Sequence, residues 1–266
     1  LGNEPFDVAF DNVYDWQRGT SAEQVLAAVA ALGERLQRYV FTSSVAVYPH
    51  GGPYDENASL VSGSDSNRYG AQKAETERAL FHSHESKGTP VATIRPSFIY
   101  GPNNPFPRES FFWDRILAGQ PIILPEDGSA TMQWVHVDDV AITAIRVASD
   151  ERAIGRAYNL GNYPPISQRD FVDLLARVAG MEAKLVPIPR SAIQAAGGQL
   201  TEPPLYFGAF LDIPPITVRV DRVHHDLGVE LRPLEEGMRQ TFEWYQSQKK
   251  ERPDFSWEDK LLSRVV

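Results

Sequence analysis

The chain of 266 residues contains no cysteine, which excludes disulfide bonds and thiol catalysis. This absence suits a reducing compartment, and we expect a cytoplasmic protein. No apolar run approaches the roughly 18 residues of a membrane span, and no segment has the pattern of a signal peptide. Acidic residues outnumber basic ones, and the net charge of −9 opposes binding to nucleic acid. The composition therefore favours an ordinary globular protein and argues against a membrane or a nucleic acid as partner.

A glycine-rich phosphate-binding turn is also missing. Neither G-x-G-x-x-G nor G-x-x-G-x-x-G occurs among the 19 glycines of the chain. The two glycine pairs, Gly51-Gly52 and Gly197-Gly198, do not follow a predicted strand in the way that such a turn requires. The sequence alone therefore offers no cradle for the phosphates of a dinucleotide.

Apolar patterns do predict a regular fold in the first hundred residues. The predicted order is strand 7–13, helix 21–37, strand 38–44, loop 49–67, a helix from residue 68, and strand 90–96. Ser21 and Gln24 have the spacing of a capping box at the start of the first helix. This alternation predicts an α/β fold of Rossmann type, a doubly wound parallel sheet with helices on both faces.

The character of the chain changes beyond residue 105. Helical and strand patterns continue there, but proline and glycine become frequent between residues 186 and 217. We predict a sheet domain from residues 1–105 and 135–162, and a smaller α/β lobe from 106–134 and 163–266.

One short motif carries candidate chemistry. In "NRYGAQKAETERAL", residues 67–80, Tyr69 and Lys73 stand four apart and are neighbours on a helix. A lysine ammonium beside a phenol favours the phenolate, which can then act as a general acid or base. Two ordinary surface residues are the alternative, because the pattern alone is common.

The ends of two predicted strands bring polar groups to the same edge of the sheet. Ser43 and Ser44 end one strand, and Arg95, Pro96 and Ser97 end the next. Ligands of open α/β sheets bind at the carboxyl ends of the strands. A strand-end serine there could hold a substrate oxygen beside the helix of Tyr69.

Five blocks together give these residues a family context. "YVFTSSVAVY", "NRYGAQKAETE", "ATIRPSFIYGPNN", "WVHVDDVA" and "AYNLGN" occur in this order. They resemble the extended short-chain dehydrogenases/reductases, the NAD-dependent epimerases and dehydratases, over residues 7–247. The resemblance implies that Ser44, Tyr69 and Lys73 are catalytic, with Tyr69 as the acid/base and Lys73 as its helper.

The resemblance also implies an NAD or NADP cofactor and a small-molecule substrate. Residues expected at the cofactor are Asp11, Asn12, Thr42, Tyr69, Lys73, Pro96, Ser97, Phe98 and Ile99. Residues expected at the substrate are Ser44, Val45, Tyr69 and Asn103. The implied function is NAD(P)-dependent oxidation, reduction or epimerisation at a hydroxyl or carbonyl carbon of a sugar-like or other small substrate.

The family pattern begins with strands and a glycine-rich turn that this chain lacks. We expect that these residues belong to a longer protein, a true truncation being the alternative. As it stands, the chain is expected to bind a dinucleotide poorly, because the pyrophosphate cradle is absent.

Substrate clues are fewer. Relatives that bind sugar nucleotides have an arginine where Met132 or Gln133 stands here, and a second basic residue in the C-terminal lobe, where Arg219 is present but lies too close to an aspartate. This difference argues against a nucleotide-linked sugar. The aromatic stretch of Tyr206, Phe207 and Phe210 could line an apolar pocket, but packing in the core is the better interpretation.

The C-terminal lobe most resembles the branch that includes chloroplast stem-loop RNA-binding proteins. A non-catalytic fold that binds RNA or a protein is therefore the alternative function, although the charge and the Ser/Tyr/Lys set favour an enzyme. His136 with Asp138 and Asp139 could suggest a metal, but pairing at a helix N-terminus is the better interpretation and no metal is expected. Helices 21–37 and 68–87 could form a homodimer interface or simply face the sheet.

Overall fold

The computed structural model describes residues 6–33, 35–63, 67–198, 214–248 and 253–265. The strands, in chain order, are β1 (Val8–Asp11), β2 (Arg38–Thr42), β3 (Gly51–Tyr54), β4 (Val91–Pro96), β5 (Phe98–Tyr100), β6 (Pro121–Pro125), β7 (Thr131–Met132), β8 (Trp134–His136), β9 (Ala157–Leu160), β10 (Ile166–Ser167), β11 (Lys184–Ile188) and β12 (Ile216–Val218). The helices are α1 (Ala22–Leu32), α2 (Arg68–Lys87), α3 (Glu109–Ala118), α4 (Val137–Ser149), α5 (Gln168–Val178), α6 (Arg190–Ala195), α7 (Asp221–Leu227), α8 (Leu234–Ser247) and α9 (Ser256–Val265).

The chain forms two compact units. The first comprises Leu1–Ile99, Trp134–Tyr163 and Ile216–Arg232, and the second comprises Tyr100–Gln133, Pro164–Pro215 and Pro233–Val266. Each unit has its own sheets and its own helices.

A parallel sheet is the centre of the first unit. Its four strands have the order β1-β2-β4-β9, and every neighbouring pair is parallel. Strands β2 and β4 are buried almost throughout, as expected for strands covered on both faces. The predicted α/β fold with a parallel sheet is therefore confirmed.

Helices cover both faces of this sheet. Ser21 caps α1 and forms the predicted capping box with Gln24. On one face the buried core consists of Val25, Leu36, Tyr39, Phe41, Leu80 and Val91, which come from α1, α2, the strands and the loop before β2. Val40, Ile94 and Tyr158 point to the opposite face and pack with Val147 of α4. Each such buried side chain stabilises the fold by about 1.5–3 kcal/mol.

Two features of the first unit differ from the sequence prediction. The predicted loop 49–67 contains strand β3, which pairs in parallel with β12. Segment 216–232 therefore packs in the first unit, whereas the sequence places it in the smaller lobe. Val223 and Leu227 of α7 fix it there, because both are buried in the core beside Tyr158 of β9. A three-residue strand following a proline-rich stretch leaves too little periodicity to predict this pairing.

The second unit contains two small strand pairs and several helices. Strand β11 pairs in parallel with β6, and β10 pairs antiparallel with β7. Trp113 of α3 is fully buried and donates from Nε1 to the Leu175 carbonyl oxygen at 3.2 Å. Arg115 of α3 forms a buried ion pair with Glu258 of α9. The predicted aromatic stretch Tyr206, Phe207 and Phe210 lies outside the described residues. No helix in the described ranges has the length and apolar character to cross a membrane.

Candidate active site

Helix α2 presents three polar side chains on one face. Tyr69, Lys73 and Glu77 are spaced by four residues, so they lie one above another along the helix. Asn67 caps the helix, and its side-chain oxygen accepts a hydrogen bond from Gly70 N at 3.1 Å. Lys73 and Glu77 are buried, and Tyr69 at the first turn is half-buried. This face of α2 therefore carries the predicted acid–base pair in its first two turns, with Tyr69 the more exposed of the two.

Lys73 is held in an apolar setting with one backbone partner. Its Nζ donates to the Thr42 carbonyl oxygen at 2.8 Å and lies 4.5 Å from the centre of the Phe41 ring. Burial lowers the pKa of Lys73 to about 8, although the nearby carboxylates of Asp11 and Glu77 oppose this shift. The ammonium thus remains the main form at pH 7, but a modest rise in pH is enough to discharge it.

The end of β1 meets the end of β2 beside this lysine. Thr42 Oγ1 donates a short hydrogen bond to Asn12 Oδ1. Asp11 Oδ2 accepts from the Tyr39 hydroxyl at 2.6 Å, and burial together with this carboxylate raises the pKa of Tyr39. Asp11, Asn12, Thr42 and Lys73, all predicted at the cofactor, are therefore brought together at the carboxyl edge of the sheet.

Ser44 lies in a tight turn that contacts the first turn of α2. It caps the 3₁₀ helix Val45–Val47, and its Oγ accepts from Ala46 N at 3.1 Å. The Ala46 carbonyl oxygen sits so close to Gly70 that a Cβ at that position would overlap it. Glycine at position 70, directly after Tyr69, therefore lets the Ser44 turn approach the acid–base helix. The Val45 side chain packs on the neighbouring buried cluster.

A buried network of hydrogen bonds and one ion pair, which the sequence analysis missed, fixes the position of α2 on the sheet. Arg95 Nε donates to both carboxylate oxygens of Glu77 at 3.0 Å, and both side chains are almost fully buried. Arg95 Nη1 also donates to the Tyr48 hydroxyl and to the Glu56 carbonyl oxygen. The Tyr48 hydroxyl donates to Asn159 Oδ1 at 2.9 Å. The available signal was the spacing of Glu77, four residues beyond Lys73 on the buried face.

The turn after β4 contains a buried serine hydroxyl. Ser97 N donates to the Leu160 carbonyl oxygen at 2.8 Å, which fixes the backbone. The Oγ atoms of Ser97 and Ser43 are buried and have no hydrogen-bond partner among the described residues. Phe98 packs its ring against Trp134 at 5.4 Å, and Ile99 packs on the core. The predicted contacts of Pro96, Phe98 and Ile99 with a cofactor stay predictions.

Asn103 belongs to the second unit, in the loop between β5 and α3. Its backbone has a positive φ of 63°, which asparagine tolerates better than most residues. Its predicted role in substrate binding stays a prediction. Met132 and Gln133, which stand where an arginine was expected, are both buried.

His136 is part of a structural contact between α4 and Arg232. Asp138 N donates to His136 Nδ1 at 3.2 Å, and Arg232 N donates to Asp139 Oδ2 at 2.8 Å. Burial and then the charge of Arg232 lower the pKa of His136. Within the described ranges, no three histidine, aspartate or glutamate side chains are placed to hold a metal ion.

A parallel α/β sheet that carries this tyrosine–lysine pair and a strand-end serine at its carboxyl edge has the features of the short-chain dehydrogenase/reductase class. Comparison with family models gives the particular family. The model described as "NAD dependent epimerase/dehydratase family" matches residues 11–161, more than half of the chain. The chain belongs to this family, and the resemblance drawn from the five sequence blocks is confirmed.

Two curated relatives from Arabidopsis thaliana are similar in sequence. The chloroplast stem-loop binding protein of 41 kDa b is 33% identical over 182 residues, which cover 68% of this chain and 44% of that protein. A trifunctional UDP-glucose 4,6-dehydratase, epimerase and reductase is 28% identical over 248 residues, covering 90% of this chain and 34% of that protein. The chain thus spans less than half the length of these relatives.

Solved structures show the same fold at low identity. The dTDP-glucose 4,6-dehydratase from Bacillus anthracis in complex with NAD has a TM-score of 0.72 and 18% identity, covering 96% of this chain and 75% of that one. MoeE5 in complex with UDP-glucose and NAD has a TM-score of 0.69 and 20% identity, covering 90% and 79%.

Proposed function

We propose that this chain carries the acid–base centre of an NAD(P)-dependent oxidoreductase or epimerase. The observation that carries the proposal is the buried Lys73 on the same helix face as Tyr69, with the Ser44 turn packed against Gly70. A surface pair would have neither the burial of Lys73 nor its lowered pKa. Membership of the epimerase/dehydratase family supports the same function.

The residues present fit the nicotinamide end of such a cofactor. Of the three N–H donors of the Lys73 ammonium, one is used by Thr42 among the described residues, so two can reach a ribose hydroxyl. The buried Oγ atoms of Ser43 and Ser97 are further unmet hydrogen-bonding groups at the same sheet edge. When bound, the nicotinamide supplies the acceptor or donor of hydride. The described residues include no glycine-rich turn after a strand that would cradle the pyrophosphate.

Within this centre the protein's own groups handle the proton. The Tyr69 phenolate accepts the proton of a substrate hydroxyl as the carbon is oxidised, and the phenol returns it to the oxygen in the reverse direction. The charge of Lys73 stabilises the phenolate during this exchange. Ser44 orients the same substrate oxygen by a hydrogen bond, which leaves Tyr69 as the proton carrier.

We propose a sugar or sugar derivative as the substrate. The solved neighbours bind UDP-glucose or are dTDP-glucose dehydratases, so a hexose ring is common to them. The buried Met132 and Gln133 offer no positive charge to a diphosphate. We therefore propose that the site recognises the sugar ring and not a diphosphate.

The experiment measures cofactor binding and turnover in wild type and Tyr69→Phe, with Tyr163→Phe as the control at an exposed tyrosine of the same unit. Loss of the phenol should lower kcat by about 100-fold or more and leave cofactor affinity within about twofold. Tyr163→Phe should behave as wild type. Equal turnover in wild type and Tyr69→Phe would overturn the proposal, as would failure of a longer form that includes a glycine-rich phosphate-binding turn to bind NAD(H) or NADP(H).

RNA binding is a second candidate function, favoured by the similarity to the stem-loop binding protein. The net charge of −9 works against it. RNA affinity that falls steeply with salt and survives Tyr69→Phe would favour this candidate over the enzyme.

We also propose a homodimer and a cytoplasmic location. The apolar stripes of α1 and α2 pack against the sheet, but α1 leaves Ala27, Ala28, Ala30 and Ala31 exposed on its outer face. Sedimentation equilibrium at micromolar concentration tests the dimer, and a monomer there would contradict it. The lack of cysteine supports a reducing compartment, which cell fractionation can check.

A further inference from the structure

An aromatic group that sequence reasoning missed lies against the acid–base tyrosine. The β1–α1 loop, residues 12–20, carries Tyr14 and Trp16. The Trp16 ring stacks on Tyr69, with ring centres 5.2 Å apart and planes 18° from parallel. Tyr14 meets both rings edge-on, at 4.8 Å from Tyr69 and 4.9 Å from Trp16. Tyr69 is therefore bordered by two rings from one loop.

Gln72 clamps this loop to α2, one residue before Lys73. The Tyr14 hydroxyl donates to Gln72 Oε1 at 2.7 Å. Gly19 packs so tightly on the Gln72 amide that a Cβ at position 19 would overlap it. One helix residue thus holds both ends of the β1–α1 loop.

The loop also has its own internal support. Asp15 Oδ1 accepts from Gln17 N and Arg18 N, both at 2.9 Å. Gly19 N donates to the Asp15 carbonyl oxygen at 2.7 Å, which closes the turn. A loop fixed at these points presents Trp16 in one orientation.

Trp16 is 70% exposed although its position is fixed. An indole face of this size is costly to leave in water, and fixed exposed aromatic rings are a common means of binding ligands. Because the Trp16 and Tyr69 rings stack with centres 5.2 Å apart, a sugar ring whose hydroxyl reaches the Tyr69 hydroxyl would lie beside the indole. The C–H face of a sugar ring is apolar and suits such a surface.

We propose that Trp16 contacts the substrate, binding the sugar ring that Tyr69 acts on, and that Gln72 is a positioning residue for it. This inference rests on the proposed function, because the ring is placed by its hydrogen bond to Tyr69. It makes the β1–α1 loop a determinant of specificity for substrates with a hexose ring at the reacting end.

Saturation-transfer NMR of the whole chain with UDP-glucose as probe tests the inference. Transfer to the glucose protons should fall at least threefold in Trp16→Ala, while transfer to the uracil protons is retained. Trp16→Phe, which keeps a flat ring, should recover most of the glucose signal. Gln72→Ala should give an intermediate loss, and Val13→Ala, also 70% exposed in this loop, should match wild type.

The outcomes separate this inference from the function on which it rests. Glucose signals that are equal in wild type and Trp16→Ala would overturn the role of Trp16 and leave the proposed function standing. Equal loss of the glucose and uracil signals would report a general loss of binding, not the loss of a contact with the sugar, and would also overturn the role of Trp16. Absence of all signals in the wild type would overturn the inference, whereas the acid–base function is tested separately by Tyr69→Phe. Circular dichroism of each variant confirms that it is folded.

Discussion

Replacing Lys73 by methionine should change how the stability of the chain depends on pH. Burial lowers the pKa of Lys73 from 10.5 to about 8 in the folded protein. Between these two values the unfolded chain binds a proton at Lys73 that the folded chain has released. Unfolding free energy therefore rises with pH across this window. Below pH 8 the folded chain carries the full cost of a buried ammonium.

The size of the effect follows from the shift in pKa. Each pKa unit corresponds to about 1.4 kcal/mol, so the folded state gains about 3 kcal/mol at this one group between pH 7 and pH 10.5. Methionine has similar length and no charge, so Lys73→Met lacks this contribution. The stability of Lys73→Met relative to wild type should thus fall by about 3 kcal/mol over the same range.

Urea unfolding followed by tryptophan fluorescence at several pH values between 7 and 10.5 measures this difference. Other titrating groups occur in both proteins and cancel when one is subtracted from the other. Lys87→Met, at an exposed lysine near the end of the same helix, is the matched control. A difference between Lys73→Met and wild type that is flat across the range would refute the burial of the ammonium and, with it, the lowered pKa of Lys73.

Three further substitutions test other parts of the site. Glu77→Gln leaves the Arg95 charge buried without its partner and should lower the unfolding free energy by about 3–5 kcal/mol; a melt within 2 °C of wild type would contradict the network. Gly70→Ala forces a Cβ onto the Ala46 carbonyl and should destabilise by about 1–3 kcal/mol while lowering turnover, so unchanged activity would separate Ser44 from Tyr69. Ser97→Ala removes an unmet buried hydroxyl, so unfolding free energy should not fall while cofactor affinity drops about tenfold; unaltered affinity would exclude Ser97 from the cofactor site.

The sequence predicts the parts of this fold that repeat a local pattern. The capping box of Ser21 and the apolar strands β2 and β4 carry their signals in neighbouring residues, and the structure has both. Pairing of β3 with β12 joins residues more than 160 positions apart over three residues, and no local periodicity reports it. Long-range pairs of short strands therefore need the tertiary structure to be found.

In the candidate site too, residues with a local sequence pattern were predicted and residues that depend on long-range contacts were missed. Tyr69 and Lys73 were predicted as a pair because residues four apart in the sequence are neighbours on one face of a helix. Trp16 was missed because its contact with Tyr69 depends on the β1–α1 loop folding back onto α2. The hydrogen bond between Tyr14 and Gln72 that holds this loop joins residues more than fifty positions apart. Glu77 and Arg95 were missed as a pair for a similar reason, since each residue alone is an ordinary charge.

The partner of Lys73 has a consequence for how this site tolerates mutation. The lysine is anchored to the main-chain oxygen of residue 42, not to the threonine side chain. Every amino acid supplies that oxygen, so substitutions at position 42 remove the contact with Asn12 and leave the anchor of the lysine in place. A library of all residues at this position should therefore retain acid–base competence in most members that fold. The position of the Lys73 ammonium thus depends on the backbone at residue 42. Substitutions of the side chain at residue 42 therefore leave that position unchanged.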